Sequence, residues 1–282
     1  MADSRLDQKL ARSALYIPGD QLDKLAKALE RGADEIIVDL EDAVSPAGKD
    51  LARQAVRAWL HALPDLDVGV WVRVNTGDLR DLDVRAIADA PALTGVVVAK
   101  TETAEELVEL DRLLTSLGST IRVVPLLESA ASILRASEIA AAPRVQRLQV
   151  GEADLRADLG VTLGPDEREL LHVRSAIVLA AAAAGIAPPI APVSTNFRDL
   201  EAFRASTEAM ARMGFVGRAC IHPAQVAIAN EVFTPSQDEI ASALDVLERL
   251  EAAGSGIAVD AQGRMLDEAV ARQARRVLAL IR

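Results

Sequence analysis

Cysteine and histidine are scarce in this chain of 282 residues, which contains one Cys and three His. The lone Cys220 excludes an internal disulfide and a cysteine-based zinc cluster, and this usage is typical of a reducing compartment. His61 and His172 fall inside helical patterns, so no Ser–His–Asp or Cys–His arrangement of a nucleophilic enzyme is recognisable. His222, before Pro223, is either an acid–base group or a structural residue that closes the last strand.

Positive charge and long apolar runs are also sparse. The net charge is −11 and no run of Lys and Arg occurs, which argues against a nucleic-acid partner or an anionic membrane surface. Residues 1–8 are too polar for a signal peptide, and no uninterrupted apolar run approaches the ~20 residues of a membrane span. We therefore expect a cytoplasmic protein without a membrane-spanning segment.

Short apolar runs alternate with longer amphipathic stretches along most of the chain, which indicates a parallel sheet. The predicted strands are residues 14–17, 35–39, 70–75, 95–99, 122–126, 148–151, 189–191 and 219–221. Eight strands favour a (β/α)₈ TIM barrel. An open doubly wound sheet is the alternative, but the first strand leads into Pro18-Gly19-Asp20 and not into a glycine-rich phosphate loop.

The last fifty residues form a second element. We predict that residues 1–232 form the barrel domain and that residues 233–282 form a C-terminal helical lid or arm. A long helix, the hinge Gly254-Ser255-Gly256 and a final helix are typical of a lid or an oligomer contact. The alternative is a helix that packs beneath the barrel.

Two apolar runs end in carboxylates, at Glu128 and at Asp154. If these runs are neighbouring parallel strands, both side chains lie at the same end of the sheet and point into one pocket. The two carboxylates then repel each other unless a cation lies between them. Mg²⁺ prefers a few carboxylates and keeps water positions for a substrate. The alternative is that one or both acids only cap the following helix.

The other strand ends carry cations and further acids. Arg73 interrupts an apolar strand, so it either binds a substrate carboxylate or forms an internal salt bridge with Glu41 or Asp42. Asp39, Glu41 and Asp42 are too many for one metal site, and we expect them to orient Arg73 and Lys100 or to bind metal-bound water. This inventory suits Mg²⁺-assisted chemistry on a carboxylated carbonyl compound.

Six motifs in order resemble those of the citrate lyase β-subunit-like proteins of the HpcH/HpaI aldolase superfamily, which includes malyl-CoA and citramalyl-CoA lyases. They begin at Arg12, Asp39, Val72, Leu126, Gly151 and Cys220, and are RSALYIPG, DLEDAV, VRVN, LLES, GEADL and CIHPAQ. The resemblance implies a TIM barrel that assembles as homotrimers or as trimer pairs. The closing motif is matched by Gly263-Arg264-Met265-Leu266-Asp267.

The resemblance also implies roles for individual residues. Glu128 and Asp154 match the Mg²⁺ ligands, and Arg73 matches the arginine that binds the keto-acid half of the substrate. Arg12 matches a position near the coenzyme A thioester. Asp267 matches an acid–base residue on a lid that covers a neighbouring subunit's site, although Ala269 stands where proline is common.

The implied reaction is Mg²⁺-dependent cleavage or formation of a carboxylated 3-hydroxyacyl-CoA, such as malyl-CoA or citramalyl-CoA, with a 2-keto acid and acetyl-CoA as products. Glu41, Asp42 and Lys100 are further substrate-binding candidates beside Arg73 and Arg12. A malyl-CoA thioesterase is one alternative. Another is the β subunit of a citrate lyase acting on an acyl carrier protein thioester. A non-catalytic binding protein on the same scaffold is a further alternative. Such a protein would not need the catalytic residue type at every motif position, whereas this chain has it at each one.

Overall fold

A curled, seven-stranded parallel sheet organises residues 11–230 of the computed structural model, which describes residues 10–254 and 256–281. The strands are β1 (Ser13–Pro18), β2 (Glu35–Asp39), β3 (Gly69–Val74), β4 (Gly95–Val98), β5 (Arg122–Leu127), β6 (Gln149–Val150) and β7 (Arg218–Cys220). Their order is β6-β5-β4-β3-β2-β1-β7, so sequential strands are neighbours from β1 to β6. This topology agrees with the predicted strand–helix alternation.

Helices connect the strands. They are α1 (Leu22–Ala28), α2 (Lys49–Ala62), α3 (Gly77–Ile87), α4 (Ala104–Ser116), α5 (Ala130–Leu134), α6 (Ala136–Ala140), α7 (Glu152–Leu159), α8 (Leu171–Ala184), α9 (Leu200–Met213) and α10 (Pro223–Val232). Short 3₁₀ helices occupy Leu29–Arg31, Pro46–Gly48 and Arg168–Leu170. No helix of residues 10–254 and 256–281 combines the length and the apolarity that a membrane span requires.

The predicted strand at residues 189–191 does not form a full strand. Ile190 bridges Gln149 of β6 and Ala191 bridges Arg218 of β7, each as an isolated parallel bridge. Prolines stand at positions 188, 189 and 192, and proline has no N–H to donate to a ladder. Within the described residues, the parallel sheet therefore has seven strands where the sequence predicts eight.

Alternation along the strands separates two apolar clusters. The convex face carries Leu15, Ile36, Val72 and Val96, which pack in one large cluster with residues of the surrounding helices. The concave face carries a smaller cluster that includes Ile37, Trp71, Val97, Val124, Leu126 and Ile190. Both faces are buried, as expected for a parallel sheet covered by helices.

Strand register arranges the concave face in layers. Glu35 lies beside Gly69, Ile37 beside Trp71, and Asp39 beside Arg73. At the amino end, Arg147 donates from Nη1 to Oε1 of Glu35 at 3.0 Å, and its guanidinium carbon lies 5.1 Å from the Trp71 ring centroid. The layers thus run from a buried ion pair, through an apolar middle, to a charged layer at the carboxyl end.

Residues from Glu231 onward belong to a second compact unit. It contains α11 (Gln237–Ala253), the antiparallel strands β8 (Ala258–Val259) and β9 (Met265–Leu266), and α12 (Glu268–Leu278). Ser236 and Glu239 form a capping box at the start of α11. The long helix and the final helix predicted from the sequence are both present.

Candidate active site

A cavity of about 410 Å³ lies at the carboxyl end of the sheet. Its walls come from the ends of β1, β2, β5 and β6 and from the first turn of α7. Ligands of parallel α/β folds bind at this end of the strands. Among the site residues predicted from the sequence, the cavity is lined by Asp42, Arg73, Glu128 and Asp154.

Arg73 is held in this cavity by Asp39, its register partner on β2. Nε of Arg73 donates to Oδ1 of Asp39 at 2.7 Å and Nη2 donates to Oδ2 at 2.6 Å, which makes a two-pronged pair. Nη1 lies 3.3 Å from Glu41 and 3.4 Å from Asp42. Burial lowers the pKa of Arg73, but the Asp39 hydrogen bonds and charge outweigh it and leave that pKa raised. Arg73 thus forms internal ion pairs and also faces the cavity.

Tyr16 lies against the Arg73 guanidinium, whose carbon is 5.4 Å from the ring centroid. The Tyr16 hydroxyl accepts a hydrogen bond from Nε2 of Gln149 at 3.1 Å, and both residues line the cavity. Burial raises the pKa of Tyr16, so the phenol keeps its proton. Sequence reasoning missed this pair. Gln149 is a polar residue on an otherwise apolar strand, and this pattern is the signal in the sequence for a side chain that lines a cavity.

Lys100 contacts the acids of the second strand through its side chain and Glu128 through its backbone. Its Nζ forms an ion pair with Glu41 and lies 3.4 Å from Asp42. Its backbone N–H donates to Oε2 of Glu128 at 2.7 Å from a left-handed conformation with φ of 50°. Burial lowers the pKa of Lys100, but the Glu41 hydrogen bond and charge outweigh it and raise that pKa. Lys100 therefore stays an ammonium that neutralises this acidic turn.

Glu128 is buried at the cavity wall, with 7% of its surface exposed. Burial and, to a smaller extent, the charge of Asp154 together raise its pKa to about 7, against the Lys100 N–H and the charges of Arg73 and Lys100, which lower it. Gly151 packs so closely that an added Cβ would lie 2.5 Å from Oε1 of Glu128. The carboxylate is therefore held from two sides and repelled by a neighbouring acid.

Glu152 lines the same cavity but forms an ion pair with Arg174 on α8. Nε of Arg174 donates to Oε1 of Glu152 at 2.6 Å and Nη2 donates to Oε2 at 2.8 Å. Nη2 also donates to Glu167 at 2.7 Å. Sequence reasoning also missed Arg174, although a lone cation in an alanine-rich helix was its signal.

Five carboxylates line the cavity, and only some have cationic partners. They are Asp39, Asp42, Glu128, Glu152 and Asp154. Arg73 and Lys100 pair with the first two, and Arg174 pairs with the fourth. Within residues 10–254 and 256–281, no Lys or Arg side chain forms an ion pair with Glu128 or Asp154. These two acids are the ones left to bind an added cation.

The donor set of Glu128 and Asp154 fits Mg²⁺. A hard divalent cation takes one or two carboxylates and fills its other positions with water and substrate oxygens. In the part of the chain that the structure describes, no group of three or more His, Cys, Asp and Glu side chains forms a closed metal site. The residues thus fit an open site with two protein ligands.

Arg12 lies at the opposite end of the sheet from the cavity. It precedes β1, and Nε and Nη2 donate to the two carboxylate oxygens of Asp34 at 2.9 and 3.0 Å. Since parallel strands share one direction, the residue before β1 lies at the amino end. Arg12 thus lies away from this cavity, and its contact with a thioester stays a prediction. The Arg12–Asp34 pair instead joins the starts of β1 and β2.

Asp267 belongs to the C-terminal unit, where it is the N-cap of α12. Its Oδ1 accepts hydrogen bonds from the backbone N–H groups of Ala269 at 2.9 Å and Val270 at 3.1 Å. Ala269 supplies a backbone N–H donor that a proline at this position would lack. Asp267 thus caps α12, and its acid–base role stays a prediction.

His222 stacks on Phe197, with ring centroids 5.2 Å apart. Its Nδ1 accepts a hydrogen bond from the Ala224 backbone N–H at 3.2 Å, in the turn that leads into α10. This geometry favours the structural alternative for His222 over the acid–base one.

The HpcH/HpaI aldolase/citrate lyase family model matches residues 12–223, which include every element of this cavity. The chain belongs to this family. The L-malyl-CoA/β-methylmalyl-CoA lyase of Rhodobacter capsulatus is 35% identical over 94% of this chain and 93% of its own length. The (3S)-malyl-CoA thioesterase of Cereibacter sphaeroides KD131 is 36% identical over 95% of this chain and 93% of its own.

Solved structures of the family agree with this assignment. Protein CitE of Mycobacterium tuberculosis, crystallised with magnesium, acetoacetate and coenzyme A, is 31% identical. The match covers 95% of this chain and 97% of that one, with a TM-score of 0.76. Curated lyases and a thioesterase both occur among the relatives, so family membership supports thioester chemistry without fixing the reaction of this chain.

Proposed function

We propose that this protein is a Mg²⁺-dependent carbon–carbon lyase that cleaves or forms a carboxylated 3-hydroxyacyl-CoA such as malyl-CoA or citramalyl-CoA. The products of cleavage are a 2-keto acid and acetyl-CoA. The observation that carries the proposal is the pair Glu128 and Asp154, which has no Lys or Arg ion-pair partner among the residues that the structure describes. Both acids line a cavity that also contains a fixed guanidinium, Arg73. Family relatives with malyl-CoA lyase activity support the same reaction.

Glu128 and Asp154 would hold the Mg²⁺, which supplies a Lewis acid for the hydroxyl and carboxylate oxygens of the substrate. Arg73 binds the carboxylate of the keto-acid half and stabilises negative charge as it develops on the oxygen. Asp39 fixes the direction of the guanidinium through two hydrogen bonds. Glu41, Asp42 and Lys100 complete the charge balance at the edge of the cavity.

The cleavage step balances as a retro-aldol reaction. The substrate hydroxyl loses its proton to solvent water, and its oxygen forms the carbonyl of the keto acid as the carbon–carbon bond breaks. The electron pair of that bond moves to the thioester as an enolate. Asp267, in its protonated form, donates a proton to that enolate and yields acetyl-CoA. In condensation the Asp267 carboxylate removes the same proton from the methyl group of acetyl-CoA.

We propose that Asp267 acts on a neighbouring subunit. Residues 233–282 would form a lid, separate from the catalytic domain at residues 1–232, in a homotrimer or a pair of trimers. Residues 189–191, which bridge β6 and β7, would take the eighth strand position of a closed TIM barrel. Both proposals follow the architecture that the family resemblance implies.

Hydrolysis is the second candidate because a (3S)-malyl-CoA thioesterase is 36% identical over nearly the whole chain. Incubation with malyl-CoA, citramalyl-CoA and citryl-CoA and Mg²⁺ separates the two reactions by their products. Free keto acid with acetyl-CoA supports the lyase, whereas free hydroxy acid with coenzyme A supports the thioesterase. Turnover of citryl-acyl carrier protein alone would identify a citrate lyase β subunit. A variant with Arg73→Ala is the control for turnover by contaminants.

A further inference from the structure

Glu152 and Asp154 lie on the first turn of α7 and line the same cavity, yet among residues 10–254 and 256–281 only Glu152 has a cationic partner. Residues two apart on a helix point to different sides, so the Glu152 carboxylate can turn towards α8 at the cavity wall while Asp154 does not. The Glu152 carboxylate meets Arg174 there through two hydrogen bonds of 2.6 and 2.8 Å. Glu152 and Arg174 are 8% and 5% exposed, so water screens this pair little.

Arg174 is itself held in place by a second acid. Its Nη2 donates to Glu167, a non-glycine residue with φ of 51° at the start of the 3₁₀ turn before α8. A left-handed conformation is unfavourable for a residue with a side chain. The ion pair with Arg174 helps to offset that cost, so the guanidinium links α7, α8 and the loop between them.

The charge of Glu152 matters because of its neighbours. Glu152 already lines the cavity, and without its partner it would offer the metal site a third carboxylate ligand beside Glu128 and Asp154. Ca²⁺ takes six to eight oxygen ligands in flexible geometry, whereas Mg²⁺ demands an octahedron and keeps its waters. A third carboxylate would therefore favour Ca²⁺ over Mg²⁺.

We propose that Arg174 is a positioning residue that holds Glu152 out of the metal site and thereby fixes that site at two carboxylates, which sets its selectivity for a small, hydrated divalent cation. This inference rests on the proposed Mg²⁺ site at Glu128 and Asp154. It adds Arg174, on α8, as a residue that would influence the site without contacting the metal or the substrate.

The test compares the dissociation constants of Mg²⁺ and Ca²⁺, measured by isothermal titration calorimetry on the full chain without substrate. Arg174→Met leaves Glu152 unpaired, and we expect the affinity for Ca²⁺ to rise about tenfold relative to that for Mg²⁺, since the ligand charge count tunes such sites. Glu167→Gln removes the other acid from the same guanidinium and leaves Glu152 paired, so the ratio stays at the wild-type value. This variant is the matched control.

The double variant Arg174→Met with Glu152→Gln keeps the test independent of folding defects. It removes both partners of the buried pair, which is far less costly than leaving one charge alone. We expect it to return the Ca²⁺ to Mg²⁺ ratio to the wild-type value. A double variant that keeps the altered ratio of Arg174→Met, or a single variant with an unchanged ratio, overturns the inference.

The failure of this inference is distinguishable from that of the proposed function. If wild-type protein binds no divalent cation, or binds it equally well after Glu128→Gln, the proposed metal site fails and the inference with it. If Glu128→Gln abolishes Mg²⁺ binding while the Arg174 variants leave the ratio unchanged, only the role of Arg174 is overturned.

Discussion

Arg73 and Asp39 are register partners on adjacent parallel strands, and they meet through two parallel hydrogen bonds of 2.6 and 2.7 Å at the cavity wall. A guanidinium held in this way is fixed in direction before any ligand arrives. Its remaining Nη1 lies within 3.4 Å of two further carboxylates. Preorganisation of this kind reduces the cost of orienting a substrate carboxylate.

Asp39→Asn should therefore lower kcat/KM for the substrate more than it lowers the stability of the fold. The amide keeps one acceptor but loses the charge, so the fork of Arg73 is no longer fixed. We expect kcat/KM to fall about 10- to 100-fold, a loss of ~1.4–2.8 kcal/mol in transition-state stabilisation. Asp34→Asn is the matched control because Asp34 makes a similar two-pronged pair with Arg12 away from the cavity. An equal loss of kcat/KM in both variants would contradict a specific role for Asp39.

Gly151→Ala should disturb Glu128 directly. The added methyl group would lie 2.5 Å from Oε1 and 2.6 Å from Cγ of Glu128, so the carboxylate has to move. Overpacking of this kind costs about 1–3 kcal/mol. We expect at least a tenfold loss of Mg²⁺ affinity by calorimetry. Gly48→Ala, at a site with negative φ and a nearest contact of 3.2 Å, is the control and should bind Mg²⁺ as wild type does.

The stability of the metal-free protein should depend on pH through Glu128. Burial raises the pKa of Glu128 from 4.5 to about 7 in the folded state, so the folded protein keeps this proton where the unfolded chain has lost it. Glu128 therefore contributes stability below about pH 4.5, and this contribution is lost as the pH rises to about 7.

Thermal unfolding in EDTA checks this pH dependence. Glutamine at position 128 cannot ionise. The midpoint temperature of Glu128→Gln should therefore rise relative to that of wild type as the pH increases from 5 to 8. Saturating Mg²⁺ should reverse the difference at pH 8, because only wild type keeps both carboxylates. A midpoint difference that is constant across the pH range would show that Glu128 does not titrate there.

Asp267→Asn should separate proton transfer from helix capping. Asparagine is as good an N-cap as aspartate, so α12 keeps its two capping hydrogen bonds and the midpoint temperature stays near that of wild type. We expect turnover to be lost while keto-acid binding is retained. Asp267→Ala is the comparison that loses both the cap and the acid.

Mixed subunits test whether sites are shared between chains. Arg73→Ala and Asp267→Asn subunits are each inactive alone, but a mixture that exchanges subunits should recover part of the wild-type activity. Recovery follows because an intact Arg73 of one chain meets an intact Asp267 of another. If native mass spectrometry verifies the exchange and the mixture is still inactive, that result argues against a lid shared between subunits.

Patterns of local origin made much of the fold predictable. The apolar runs predicted seven of the observed strands to within one or two residues, and the motif ends led to the acids Glu128 and Asp154 at one cavity. These predictions depend on periodicity and on the shared direction of parallel strands. The missing strand at residues 189–191 reflects prolines, whose lack of N–H donors interrupts a ladder even where the apolar pattern continues.

Pairings between distant residues were not predictable in the same way. The partner of Arg73 depends on the register of β2 and β3, and a shift of one residue would have placed another side chain opposite it. The partner of Glu152 depends on how α8 returns beside α7, which the spacing of 22 residues does not specify. The position of Arg12 at the amino end was predictable, because Arg12 precedes the strand predicted at residues 14–17, and only the motif match connects it with a thioester.

The apolar middle layer of the sheet has a consequence for the order of events during turnover. Trp71 and its neighbours fill the concave face, and Tyr16 and Leu126 at its upper edge form the base of the cavity. In the proposed reaction a keto acid on Arg73 would lie against this base, and the bulkier thioester product would lie nearer to solvent. We therefore expect an ordered release in which the thioester leaves first and the small acid leaves last.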